Sequence, residues 1–247
     1  MTRKRAAIVL GASGSVGNAL VAELFHDGSF DPVITLSRRS APEVVAIASE
    51  AKRTVREQIV PEMNAQTLEA ATLEALRDVE GEVEGFSVLG VGSGTAKITY
   101  EEHRAIDVGL NEAFAKALKA SGKVTHLGLM TAAGANPQAK ATGSGAAGMS
   151  RYSRVKGEAE EAVRANGPAI VSIFRPAMII GSQHTPWLLE KTLPVFSFLT
   201  PAKLRSITVT QIAKAMIAAA TDHPAASAVN HYPEMMALVS VKARAPL

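Results

Sequence analysis

IVLGASGSVGNAL, residues 8–20, runs from an apolar, β-branched segment through three glycines into a helical pattern. Gly11, Gly14 and Gly17 are spaced G-x-x-G-x-x-G, one residue from the G-x-G-x-x-G fingerprint of dinucleotide-binding turns. The Lys of a G-x-x-x-x-G-K-[ST] phosphate loop is missing, which disfavours a nucleotide triphosphatase. Glycines here permit a tight strand-to-helix turn and let a pyrophosphate approach bare backbone N–H groups at the positive end of a helix. Ser13 and Ser15 add hydroxyl donors to such a cradle, and Val16 lies within the same turn.

Outward from this turn, AAIVL (6–10), VITLS (33–37), TVREQIV (54–60), GFSVLGV (85–91), HLGLMT (126–131) and AIVSIF (169–174) read as strands, TVREQIV being the most polar of them. Helical patterns lie between them. Residues 15–25 keep Val16, Leu20 and Leu24 on one stripe, 65–79 are rich in Ala, Leu and Glu, and 100–120 repeat apolar residues at helical spacing. Alternating strands and helices predict an α/β fold, a doubly wound parallel sheet with helices on both faces. The Gly/Ala/Ser-rich segment 132–150 is the one long loop. A segment at 208–220, TVTQIAKAMIAAA, predicts a sealing helix with Thr210 as its N-cap.

Two further features bear on a ligand. The second strand ends LSRRS (36–40), with Arg38 and Arg39 where an acidic residue would accept from a ribose 2′-OH. A guanidinium holds a phosphate bidentately, so NADP(H) is expected over NAD(H), with Ser37 and Ser40 adding hydroxyls. In RYSRVKGEAEEA (151–162), Tyr152 and Lys156 are four apart, on one face of a helix. Glu158, Glu160 and Glu161 are expected on the solvated face of that helix, favouring its first turns.

With the glycine turn, the arginine pair and Tyr-x-x-x-Lys in this order, the chain resembles the short-chain dehydrogenase/reductase superfamily over nearly its whole length. GASGSVG, TLSRR, GFSVLG, MTAAGAN, YSRVKGEAEE and SIFRPAMII look like its extended and atypical branches, and most like the NADPH-binding, Tat-interacting-protein-like branch. The resemblance implies a single Rossmann domain over 1–247, with roughly 177–206 as a small C-terminal substrate lobe. It implies an NADPH-dependent reduction of a carbonyl-like small molecule. Tyr152 is then the acid–base group and Lys156 the charge that favours its phenolate and binds the nicotinamide ribose.

The hydroxyl that meets the substrate oxygen falls on Thr131. If the productive hydroxyl is instead the following residue, this chain has Ala132, and Ser144 or Ser150 would substitute. The helical Asn of the family's tetrad has no clear counterpart in RAIDVGLNEA (104–113), which offers Asp107 and Asn111. The cofactor is further expected against Leu89, Gly90 and Val91 in LGVGSG, and against Pro176, Ala177, Met178 and Ile179, with Arg175 structural.

The chain has 247 residues, 47% of them hydrophobic, enough to bury a substantial core. The net charge of +3 is interspersed, and its one dense run, TRKR (2–5), reads as a solvated tail, so no nucleic-acid partner is expected. No cysteine is present and the six His show no ligand spacing, so no metal is expected. No apolar stretch approaches the roughly 20 residues needed to span a bilayer, and the start lacks a signal-peptide pattern. A cytoplasmic protein, monomer or homodimer, is the expectation. The competing reading is an NADP(H)-binding regulator without turnover.

Overall fold

The computed structural model describes residues 5–141, 149–181 and 201–242. Seven strands form one parallel sheet in the order β3-β2-β1-β4-β5-β6-β9. They are β1 (Arg5–Leu10), β2 (Phe30–Ser37), β3 (Val55–Ile59), β4 (Val83–Ser87), β5 (Val124–Met130), β6 (Ile170–Phe174) and β9 (Ala228–Asn230). β7 (Ile179–Ile180) and β8 (Ile207–Thr208) pair separately. The first six strands follow the doubly wound order 3-2-1-4-5-6, whose switch point lies between β1 and β4.

Both faces of the sheet are covered, which is why the central strands are continuous apolar runs. Ala7 and Val9 of β1 face a core built with α1 (Ser15–Asp27), α2 (Pro42–Glu50), α7 (Val209–Thr221) and α8 (Tyr232–Lys242). Ala6, Ile8 and Leu10 face the other core, built with α3 (Ala65–Leu76) and α5 (Asn111–Ala120) and closed by Val163 of α6 (Met149–Asn166). β3 is polar because it is an edge strand in which no residue is fully buried.

Several expectations change. Thr208, not Thr210, caps α7: its hydroxyl accepts from Gln211 N at 3.1 Å while Gln211 Oε1 accepts from Thr208 N at 3.0 Å. Arg5 belongs to β1 rather than to a tail. Its Nη1 donates to Glu84 at 2.8 Å, Glu84 accepts from His126 Nδ1 at 3.0 Å, and His126 Nε2 lies 2.9 Å from the Ser172 hydroxyl. This buried polar row crosses β1, β4, β5 and β6. Ser144 and most of the expected substrate lobe, including 182–200, lie outside the described residues.

Candidate active site

The glycine turn closes onto the loop after β4. Gly11 has φ +89°, and a Cβ there would stand 2.8 Å from Leu89 N, so the loops leaving β1 and β4 touch through backbone alone. A Cβ at Gly17 would stand 2.2 Å from Gly11 O, which lets α1 start directly against the turn. Gly14 occupies the N-cap of α1 in an extended conformation, with no side-chain cap. Ser13 and Gly14 are exposed, while the Val16 side chain is buried in the core, so only its backbone is available to a ligand. This cradle fits a dinucleotide pyrophosphate: small residues, a helix N-terminus and a crevice at the switch point.

At the end of β2, Arg38 and Arg39 are exposed and form no ion pair among the described residues. The serines beside them are engaged otherwise than expected. Ser37 Oγ donates to Arg39 O at 2.7 Å, and Ser40 Oγ donates to Glu57 at 2.9 Å. Glu57, from β3, also accepts from Ala41 N at 2.8 Å and so fixes the start of α2. Sequence reading missed it because its partners are 16 and 17 residues away.

The Tyr152–Lys156 pair sits on α6 against a short composite helix. Thr99 and Glu102 form a capping box that starts α4 (Tyr100–Arg104), a π turn (Ala105–Leu110) follows, and α5 continues. Asn111 donates to Asp107 O at 2.8 Å and accepts from the Ser87 hydroxyl, tying the π turn to the end of β4. π turns of this kind recur at functional sites.

Asp107, turned inward there, is 0% exposed, and its Oδ2 lies 2.8 Å from Lys156 Nζ. The other oxygen, Oδ1, accepts from Val91 N at 2.9 Å, and His103 Nε2 approaches Oδ2 at 3.3 Å. Burial alone would raise the Asp107 carboxyl. The Lys156 charge and the hydrogen bonds from His103 and Lys156 outweigh it and hold the group at about 2. Burial likewise works against charge on Lys156, but Asp107 overrides it and raises the ammonium above its ordinary value. Lys156 Nζ lies 5.5 Å from the Tyr152 ring centroid, and the His103 ring stacks on Tyr152 at 6.0 Å with 21° between planes. A Cβ at Gly90 would stand 2.5 Å from Lys156 Nζ, so the β4 loop passes directly over the ammonium.

Asp107 therefore faces Lys156, and Asn111 supports the turn that presents it. The sequence signal for His103 is H-x-x-x-D, a pair one helical turn apart that metal-ligand spacing does not select.

Thr131 is positioned otherwise than expected. It is buried, and its hydroxyl donates to Glu160 Oε1 at 2.7 Å. Arg175 closes the same carboxylate with Nε at 2.8 Å from Oε1 and Nη2 at 2.5 Å from Oε2. With its proton held by a carboxylate, Thr131 has none to offer a substrate oxygen. Glu160 is correspondingly a buried residue, not part of a solvated face, and it lies well inside a helix that starts at Met149. Ser150 donates to Lys140 O at 3.0 Å. Pro176 is buried, Ala133 N donating to its carbonyl at 2.8 Å, whereas Ala177 and Met178 are exposed and Ile179 enters β7. Among the described residues no group of His, Asp and Glu is arranged to hold a metal ion.

The switch point of the sheet, the glycine cradle and the lysine beneath the β4 loop fit a dinucleotide-binding protein. Residues 11–223 match the family described as NAD(P)H-binding, and the chain belongs to that family. Its relatives include the protein fmp52, mitochondrial, of Aspergillus fumigatus, 28% identical over 179 residues, 71% of this chain and 67% of that one. FMP52, mitochondrial, of Candida glabrata is 30% identical over 184 residues, 73% of this chain and 66% of that one. The chain thus spans about two thirds of the length of these relatives. Their names overturn the expectation of a cytoplasmic protein.

Among solved structures, a short-chain dehydrogenase/reductase from Serratia marcescens superposes with a TM-score of 0.68 at 16% identity, covering 94% of this chain and 99% of that one. MoeE5 in complex with UDP-glucuronic acid and NAD gives 0.63 at 17% identity, over 91% and 75%. At these identities the likeness is one of fold, and the fold is that of the short-chain dehydrogenase/reductases.

Proposed function

We propose that this protein is an NADPH-dependent reductase of a carbonyl-like small molecule, with Tyr152 as the acid–base group. The observation that carries this reading is the convergence of Tyr152 and Lys156 of α6 with the backbone of Gly90, at the crevice where a dinucleotide fits. When bound, NADPH supplies the hydride that reaches the carbonyl carbon. Tyr152 gives the proton that the oxygen then needs, since its phenol makes no hydrogen bond among the described residues and is only half-buried. Lys156 stabilises the phenolate left behind and orients the ribose from beneath the β4 loop. Gly11, Ser13, Gly14, Ser15 and Gly17 hold the pyrophosphate, Leu89 to Val91 line its path, and Pro176 to Ile179 border the nicotinamide.

The deciding experiment is Tyr152→Phe, assayed for NADPH oxidation across a carbonyl panel. NADPH affinity stays within about twofold and turnover falls by about 100-fold or more; turnover that survives the substitution refutes the mechanism.

Arg38 and Arg39 are proposed to bind the 2′-phosphate, which their exposure and their lack of ion-pair partners among the described residues leave them able to do. The double variant Arg38→Ala/Arg39→Ala is expected to weaken NADPH by about 10- to 100-fold while leaving NADH nearly unchanged, as two charge-assisted contacts are lost. Equal loss for both cofactors would count against the assignment.

One observation favours a second reading. The Thr131 proton is taken by Glu160 and Ala132 has no hydroxyl, which suits a protein that binds NADP(H) without efficient turnover. Submicromolar NADPH binding with no oxidation on any panel member would select it.

A further inference from the structure

We propose that His103 is a positioning residue of this site: it holds Asp107 through Nε2 and seats Tyr152 against its ring, and so governs how much of the Lys156 charge reaches the phenol. This deepens the reading of Tyr152 and Lys156 given above and rests on it for its catalytic meaning.

The geometry is specific. Asp107 is ionised, so the 3.3 Å contact is a His103 Nε2–H donating to the carboxylate. The other ring nitrogen, Nδ1, is buried with no hydrogen-bond partner among the described residues. Packing alone does not account for this residue, because phenylalanine would offer Tyr152 the same ring face without burying an unpaired nitrogen. The three charged or titratable neighbours converge on one point from three elements: His103 from α4, Asp107 from the π turn, and Lys156 from α6.

Other charged side chains on or beside these elements have partners of their own, though Glu160 also acts on Lys156 through space. Arg104 and Arg154 pair with Glu158, Arg151 donates to the carbonyls of Ile98 and Thr99, and Glu160 is closed by Arg175 and Thr131. Tyr152 therefore experiences chiefly the Lys156–Asp107 pair, whose charges oppose one another. His103 donates to Oδ2, the same oxygen that Lys156 meets, and so draws off part of the negative charge that faces the ammonium, leaving more of the positive field of Lys156 for the phenol. Removing that donor strengthens the carboxylate's opposition.

The test needs neither substrate nor cofactor. The chain has three tyrosines, so subtracting the spectrum of Tyr152→Phe isolates the ultraviolet phenolate band of Tyr152 at a fixed alkaline pH. His103→Phe keeps the ring face and deletes the donor, and its phenolate-to-phenol ratio is expected to fall by about threefold or more. His103→Gln restores an N–H able to reach a residue four positions on, and returns the ratio to about the wild-type value. If His103→Phe does not fold by near-ultraviolet circular dichroism, His103→Asn, whose amide is too short to reach Asp107, takes its place with the same expected fall.

A ratio unchanged in the donor-deleted variant overturns the proposal, as does His103→Gln falling equally far. An active Tyr152→Phe enzyme would refute the reductase reading separately and would leave this spectroscopic result standing.

Discussion

Asp107→Ala is expected to destabilise the protein by about 3–5 kcal/mol, the cost of removing one partner from a buried ion pair. The substitution leaves Lys156 charged and almost fully buried, its side chain 6% exposed, and strips acceptors from Val91 N–H and His103 Nε2–H together. Against a typical total of about 5–15 kcal/mol, such a loss moves a urea midpoint far enough to be unmistakable. The double variant Asp107→Leu/Lys156→Met, which removes both charges, should recover much of it.

Acid titration gives a second check. The Asp107 carboxyl is held at about 2 in the folded chain against an ordinary 3.8, so its contribution is present above the higher value and is lost as the pH falls toward the lower. The wild type should lose about 2 kcal/mol from this source across that window, and Asp107→Ala should lack that component. A difference in stability below about 0.5 kcal/mol at neutral pH would show that the pair does not hold the site together.

Gly17→Ala is expected to raise the NADPH dissociation constant by about 10- to 100-fold, because opening the turn costs at least one backbone N–H contact to the charged pyrophosphate. The added methyl would meet Gly11 O at 2.2 Å and Ala12 Cα at 2.6 Å, both backbone atoms of the turn itself, so relief requires opening the cradle. Stability should fall by about 1–3 kcal/mol, the usual cost of overpacking. Gly14→Ala is the contrast: its Cβ would meet only Gly11 O, at an ordinary 3.6 Å, so the variant should fold normally. Isothermal titration with NADPH and a urea curve for each variant separate the two effects, and equal NADPH affinity in Gly17→Ala and wild type would contradict the role given to this turn.

What the sequence made legible follows from how each feature is encoded. β1, β2, β4, β5 and β6 are dense apolar runs because both sheet faces are buried, and such runs are visible locally. α2 was missed because its start is fixed by Glu57 from a later strand, and β9 because three residues carry little periodicity. The glycine turn and the Tyr–Lys pair declare themselves by spacing. Asp107 was noticed without its partner, since contact with Lys156 depends on a π turn that local propensity does not announce. Thr131 was assigned to the substrate by position, whereas its partner Glu160 looked like one charge in an acidic run. Only tertiary packing distinguishes that buried carboxylate from exposed Glu161 beside it.

The polar row from Arg5 through Glu84 and His126 to Ser172 makes strand alignment an all-or-none matter. Parallel strands rich in Val, Ile and Leu slide past one another with little loss of apolar contact when both faces are greasy. Here a slip of one residue in any of four adjacent strands would turn its member of the row to the opposite face and strand an arginine, a carboxylate or an imidazole without its neighbour. The row lies at the end of the sheet away from the crevice, so it acts as a key that admits one alignment. Through that alignment it fixes which residues emerge together, at the far end of the strands, around the ligand.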